Sequence, residues 1–119
     1  PYYVEAGFSP DGGWTAMLPD IIGRTRASTV QLLNQTITTE QALEWGLATA
    51  YADSAGLDEA VAELCQQVLG KKAGSVLRTR GLLRPRDLES RLALEREQFV
   101  EQIVTDEATT GIRSWLGDD

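Results

Sequence analysis

The sequence predicts a predominantly helical α/β chain with one or two short strands, and three stretches predict it. An apolar run too short for a helix, Tyr2-Tyr3-Val4, leads through Gly7-Phe8-Ser9-Pro10 to Asp11 and two glycines, the order of a strand, a tight turn and a helix start. A second short run, Leu47-Ala48-Thr49-Ala50-Tyr51-Ala52, reads as a buried strand. From Leu57 onward, apolar residues recur at helical spacing. The expected organisation is a strand-turn-helix portion over residues 1–53 and an all-helical portion over residues 54–119, with no internal repeat and no low-complexity tract.

Within the first turn, Pro10 fixes its own φ and has no N–H, Gly12 and Gly13 accept positive φ, and Asp11 is a good N-cap for Trp14-Thr15-Ala16-Met17-Leu18. Residues 24–33 place Ala27, Val30 and Leu33 on one helical face, with Leu32 beside them. Thr38 stands three residues before Gln41 in a capping-box arrangement and Gly46 follows Trp45, which predicts a short helix over 39–45. Asp53-Ser54-Ala55-Gly56 is a break. Leu57, Val61, Leu64 and Val68 then fall at i, i+4, i+7 and i+11, the buried stripe of an amphipathic helix that exposes Asp58, Glu59, Glu63 and Gln67 and packs Cys65 as a small apolar residue. A further helix is expected over 75–83, and Pro85 interrupts. Asp87 is placed to cap a long helix to residue 104, with Leu88, Leu92, Phe99 and Ile103 on one side and the charges of Glu89, Arg91, Arg96, Glu97 and Glu101 on the other. Thr105 or Asp106 starts a last helix whose Ile112, Trp115 and Leu116 pack back on a neighbour.

Composition narrows the function classes. A chain of 119 residues, 42% hydrophobic and 24% charged, is ordinary for one globular domain. Its net charge of −7 argues against nucleic acid or an anionic membrane as a partner. With a single cysteine, no signal-peptide pattern and no apolar run near 18 residues, a cytoplasmic protein is expected. The absence of histidine removes Ser-His and Cys-His nucleophile systems and most zinc arrangements, so no metal is expected and acid–base work falls to carboxylates. There is no glycine spacing of a dinucleotide or P-loop site. Arg24, Arg26, Lys71 and Lys72 are basic enough to meet phosphates, but exposed cations serve solubility in most proteins.

Two readings of Asp11 stand side by side. Pro-Asp-Gly is a common turn, in which the Asp satisfies backbone donors; the same carboxylate, presented at a turn, can also move a proton. Gly7-Phe8-Ser9-Pro10-Asp11-Gly12-Gly13, followed by Leu18-Pro19-Asp20-Ile21-Ile22-Gly23, resembles the signature of the crotonase family, the enoyl-CoA hydratases and isomerases. Downstream, Ala42-Leu43-Glu44-Trp45-Gly46-Leu47-Ala48 is similar to a later block of that family, in the right order. The resemblance implies a fragment of the α/β crotonase-like spiral, a C-terminal half whose last helices oligomerise as trimers or hexamers. It also implies an acyl-CoA as substrate and no further cofactor.

The resemblance implies roles residue by residue. Asp11, directly after the turn proline, matches the position at which isomerases carry the proton-moving carboxylate and aromatic acyl-CoA dehalogenases their nucleophile. Tyr3 stands where hydratases carry a Glu, so the hydratase pair of carboxylates is broken, and Glu5 is a surface or pocket-edge residue. Tyr3, Pro10, Gly12 and Gly13 are the implied substrate-pocket residues around Asp11. In the family the N-terminal half supplies both oxyanion-hole N–H donors, and removing one such donor costs about a hundredfold to a thousandfold in rate. An isomerase-like activity with Asp11 as general acid and base is therefore expected of the longer protein, and little of these residues alone. A non-catalytic helical assembly module is the reading from a different class.

Overall fold

The structure is a computed structural model and describes residues 2–117. Among them are seven helices: α1 Leu18–Ile22, α2 Arg24–Leu32, α3 Thr39–Glu44, α4 Leu57–Leu69, α5 Ala73–Leu83, α6 Leu88–Ile103 and α7 Asp106–Leu116. No strand occurs among the described residues, which corrects both strand expectations. At Tyr2-Tyr3-Val4 the backbone closes on itself, the Ala6 N–H donating to the Tyr2 carbonyl at 2.9 Å and the Phe8 N–H to the Tyr3 carbonyl at 2.7 Å. Residues 47–52 are irregular, because a strand exists only where a neighbour pairs its N–H and C=O groups.

α1 and α2 form a helical corner around a small core of Leu18, Ile22, Ala27 and Val30, against which Trp14, Ile37 and Trp45 pack. α2 buries Gln31 where the periodicity predicts Leu33, and Leu32 and Leu33 face outward. Asn34, at φ 48°, ends this helix in a left-handed residue, and the Gln35 N–H returns to the Val30 carbonyl at 3.0 Å. The predicted capping box opens α3: Thr38 Oγ1 accepts from the Gln41 N–H at 3.2 Å and Gln41 Oε1 from the Thr38 N–H at 3.0 Å. Gly46, at φ 76°, follows the end of α3 as expected.

α4 has the predicted bounds but not the predicted burial. Leu57, Val61, Leu64 and Val68 are each between 47 and 54% exposed, and neither α4 nor α5 has a buried residue. Cys65 is exposed too, which corrects its expected packing. The chain is correspondingly open. Its radius of gyration is 18.1 Å, against about 13.5 Å for a compact domain of this length.

α6 is the element that positions the first turn. Four of its residues reach the segment between Gly7 and Asp20 from successive turns of one face: Arg91 pairs with Asp20 at 2.5 Å, Glu95 meets the turn after Asp11, Phe99 packs edge-on to Phe8 with ring centres 6.2 Å apart, and Gln102 donates to the Gly7 carbonyl at 2.9 Å. Asp87 stands before α6 without capping it, its carboxylate lying 3.6 Å from Arg91 instead. Thr105 caps α7 through the Ala108 N–H, and Trp115 stacks on Tyr2 with centres 5.2 Å apart, the packing-back expected of the last helix.

Candidate functional site

Asp11 lies partly buried in the irregular stretch between Phe8 and the first glycine. The predicted cap does not form. α1 starts only at Leu18, its flanking residue is Met17, and no side chain caps it. Residues 12–17 form turns, in which the Met17 N–H donates to the Gly13 carbonyl at 2.8 Å. Such a turn leaves N–H groups at its start that need acceptors.

Glu95 supplies them. Its Oε1 accepts from the Gly13 N–H at 2.6 Å; its Oε2 accepts from the Thr15 N–H at 2.6 Å, the Ala16 N–H at 3.1 Å and the Thr15 hydroxyl. Glu95 is 6% exposed. Burying a carboxylate costs several kcal/mol unless it is hydrogen-bonded, and bonds to a charged group return about 1.5–3 kcal/mol each, so this set offsets the burial. Gly13, at φ 91°, is needed to turn its N–H onto Glu95.

With the backbone donors taken by Glu95, Asp11 has a different partner. The Tyr3 hydroxyl donates to its Oδ1 at 2.7 Å. Tyr3 is buried and stacks on Tyr2 with ring centres 5.0 Å apart. Burial first, then the hydrogen bond to Asp11 and the Asp11 charge, push the Tyr3 phenol from its ordinary 10.0 up to about 12, so it stays a donor throughout the physiological range.

Of the residues predicted around Asp11, the structure brings Tyr3 into direct contact with it and seats Gly13 on Glu95. Gly12 is exposed at φ 67°, and Pro10 is half-buried before Asp11. Gly12 and Gly13 line a small apolar cavity of about 170 Å³ with Trp14, Met17, Leu18 and Leu47. A second cavity, of about 330 Å³, opens beside Glu95 between Ser9, Thr15 and the α6 residues Arg91, Leu94 and Gln98. No group of three or more residues suited to hold a metal occurs among the described residues.

Sequence reasoning missed Glu95, although a signal for it exists. The apolar stripe of α6 runs Leu88, Leu92, Phe99, Ile103, and the position that continues it between Leu92 and Phe99 is residue 95. A carboxylate standing in a buried stripe needs donors from elsewhere, and here they come from 79 to 82 residues away.

The family profile for enoyl-CoA hydratase/isomerase matches residues 3–117. The chain belongs to this family. Among solved structures it is similar to an enoyl-CoA hydratase/isomerase from Pseudoalteromonas atlantica T6c, with a TM-score of 0.88 and 20% identity over 98% of this chain, and to Pseudomonas aeruginosa OdaA, with a TM-score of 0.84 and 24% identity over 97%. At those identities the likeness shows a crotonase-like fold. A 66-residue stretch, 56% of the chain, is 38% identical to the 1,2-epoxyphenylacetyl-CoA isomerase of Escherichia coli (strain K12), covering 24% of that protein. The sequence reading takes the chain for a C-terminal half only of such a protein; the family match runs over residues 3–117, nearly the whole chain, and the chain spans 48% of the length of each of the two solved structures.

Proposed function

We propose that this chain supplies the proton-moving carboxylate of an acyl-CoA isomerase, with Asp11 as general acid and base. The observation that carries this reading is the division of labour between two carboxylates. Glu95 takes the structural work of satisfying the turn, and Asp11 caps no helix, is partly exposed, and is held by one phenol. Tyr3 occupies the place of a second carboxylate and donates to Asp11, which favours proton transfer by a single carboxylate over the paired carboxylates of water addition. Family membership makes an acyl-CoA thioester the natural substrate class, and the partly matching relative is itself named as an acyl-CoA isomerase.

In the proposed reaction Asp11 takes a proton from the carbon between the double bond and the thioester carbonyl. The negative charge passes to the carbonyl oxygen, where two N–H donors from outside the described residues hold it, and the proton returns at the far end of the three-carbon unit. The test is Asp11→Asn in the full-length protein, assayed for enoyl-CoA isomerisation and for melting temperature. Isomerisation is expected to fall by about a hundredfold or more, because positioned acid–base groups contribute about 10²–10⁴. The melting temperature should hardly move, since the turn is capped by Glu95. An Asn variant with the wild-type rate removes Asp11 from this role.

A further inference from the structure

We propose that Glu95 is a positioning residue for Asp11: by gathering the N–H groups of Gly13, Thr15 and Ala16, it sets the turn that aims the Asp11 carboxylate. This rests on Asp11 as the group that moves the proton. Both Glu95 oxygens are already occupied, one by Gly13 and the other by Thr15 and Ala16, and the side chain is buried, so it acts through the turn and not on substrate. The linkage to Asp11 is short. Gly13 is two residues on, and the Trp14 N–H donates to the Asp11 carbonyl at 3.4 Å. Tyr3 grips Asp11 from the other side, and Gln102, two helical turns beyond Glu95, holds the Gly7 carbonyl. α6 thereby holds the chain on both sides of Asp11, with Glu95 as the hold on the glycine side.

The geometry makes the arrangement sensitive. Gly12 and Gly13 both have positive φ, a conformation that two adjacent glycines leave as easily as they enter. The bond from the Gly13 N–H to Glu95 holds the second of them there, and a displacement of about 1 Å at a catalytic group can cost about a hundredfold in rate. Glu95→Gln keeps the size of the side chain but turns an NH₂ group toward backbone donors, so at least one of the bonds must break.

The test compares Glu95→Gln, Thr15→Val and Asp11→Asn in the full-length protein, reading kcat and KM for enoyl-CoA isomerisation and the amide NMR signals of Gly13, Thr15 and Ala16. Glu95→Gln should lower kcat by roughly tenfold to a hundredfold with KM within about twofold, and should shift all three amide signals upfield as the carboxylate bonds weaken. Asp11→Asn should lose rate with those amide signals in place. Glu95→Gln with wild-type kcat, while Asp11→Asn is slow, overturns the positioning role and leaves the Asp11 reading standing; Asp11→Asn at the wild-type rate overturns both. Should Glu95→Gln fold too poorly to assay, Thr15→Val decides. It removes only the hydroxyl bond, so a several-fold drop in kcat at constant KM supports the proposal and a wild-type kcat overturns it.

Discussion

The Tyr3 hydroxyl donates to the Asp11 carboxylate eight residues away, and the sequence placed both at the turn without revealing that they touch. The contact has a sign that pH can test. The folded Tyr3 holds its proton up to about 12, against 10.0 for an ordinary phenol, so neutral Tyr3 contributes stability that is complete below pH 10 and is lost as pH rises from 10 to 12. Tyr3→Phe keeps the ring that stacks on Tyr2 and removes the titration. Denaturant unfolding at pH 9 and pH 11.5 should show a smaller alkaline loss in the variant than in the wild type; an equal loss would place the alkaline sensitivity elsewhere. On the proposed role of Asp11, isomerisation by Tyr3→Phe should drop by roughly tenfold at neutral pH, as one hydrogen bond to a charged group, worth about 1.5–3 kcal/mol, no longer orients Asp11. The turn at Asp11 was legible because Pro-Asp-Gly-Gly is a local pattern. Glu95 was not, because its partners lie 79 to 82 residues away and only the fold brings them to it.

Between elements, the close approach of α7 to the Ala6-Gly7 backbone decides how the turn that holds Asp11 sits on the last helix. A Cβ at Gly111 would stand 2.5 Å from the Ala6 carbonyl oxygen, and one at Gly7 would stand 2.7 Å from that of Glu107. Two effects oppose each other in Gly111→Ala. Alanine gains about 1 kcal/mol of helix propensity, whereas forcing an atom against a backbone carbonyl costs about 1–3 kcal/mol, and the carbonyl cannot rotate away as a side chain could. The clash wins, and Gly111→Ala should lower the melting temperature by several degrees and loosen Trp115 from Tyr2, read as a change in tryptophan fluorescence. A raised melting temperature would mean that α7 stands off the turn. Elements with a local grammar were readable in advance: the Thr38-Gln41 box starts α3, the spacing of Leu57, Val61, Leu64 and Val68 makes α4, and Thr105 starts α7. The strands were not, because Tyr2-Tyr3-Val4 and residues 47–52 have strand composition but a strand depends on a partner that composition does not supply.

At the scale of the whole molecule, these residues leave a large surface bare. It exposes 9141 Å², whereas a compact 13.0 kDa monomer exposes about 6300 Å². The excess of about 2800 Å² includes the apolar faces of α4 and α5, where Leu57, Val61, Leu64, Leu69, Leu77 and Leu82 are exposed. α4 has 13 residues and α5 has 11, near or below the length at which an isolated helix holds in water, so their stability must come from what covers them. We propose that copies of the same chain do so. Sedimentation at micromolar concentration should then show a homo-oligomer, and dilution should lower the helical circular dichroism as α4 and α5 lose their cover. Leu64→Glu, in the middle of the bare stripe, should shift the equilibrium to smaller species by placing a charge in the interface. A monomer that keeps its full helical signal on dilution would overturn the assembly, because the two helices would then be standing without the burial that this sequence pattern exists to provide.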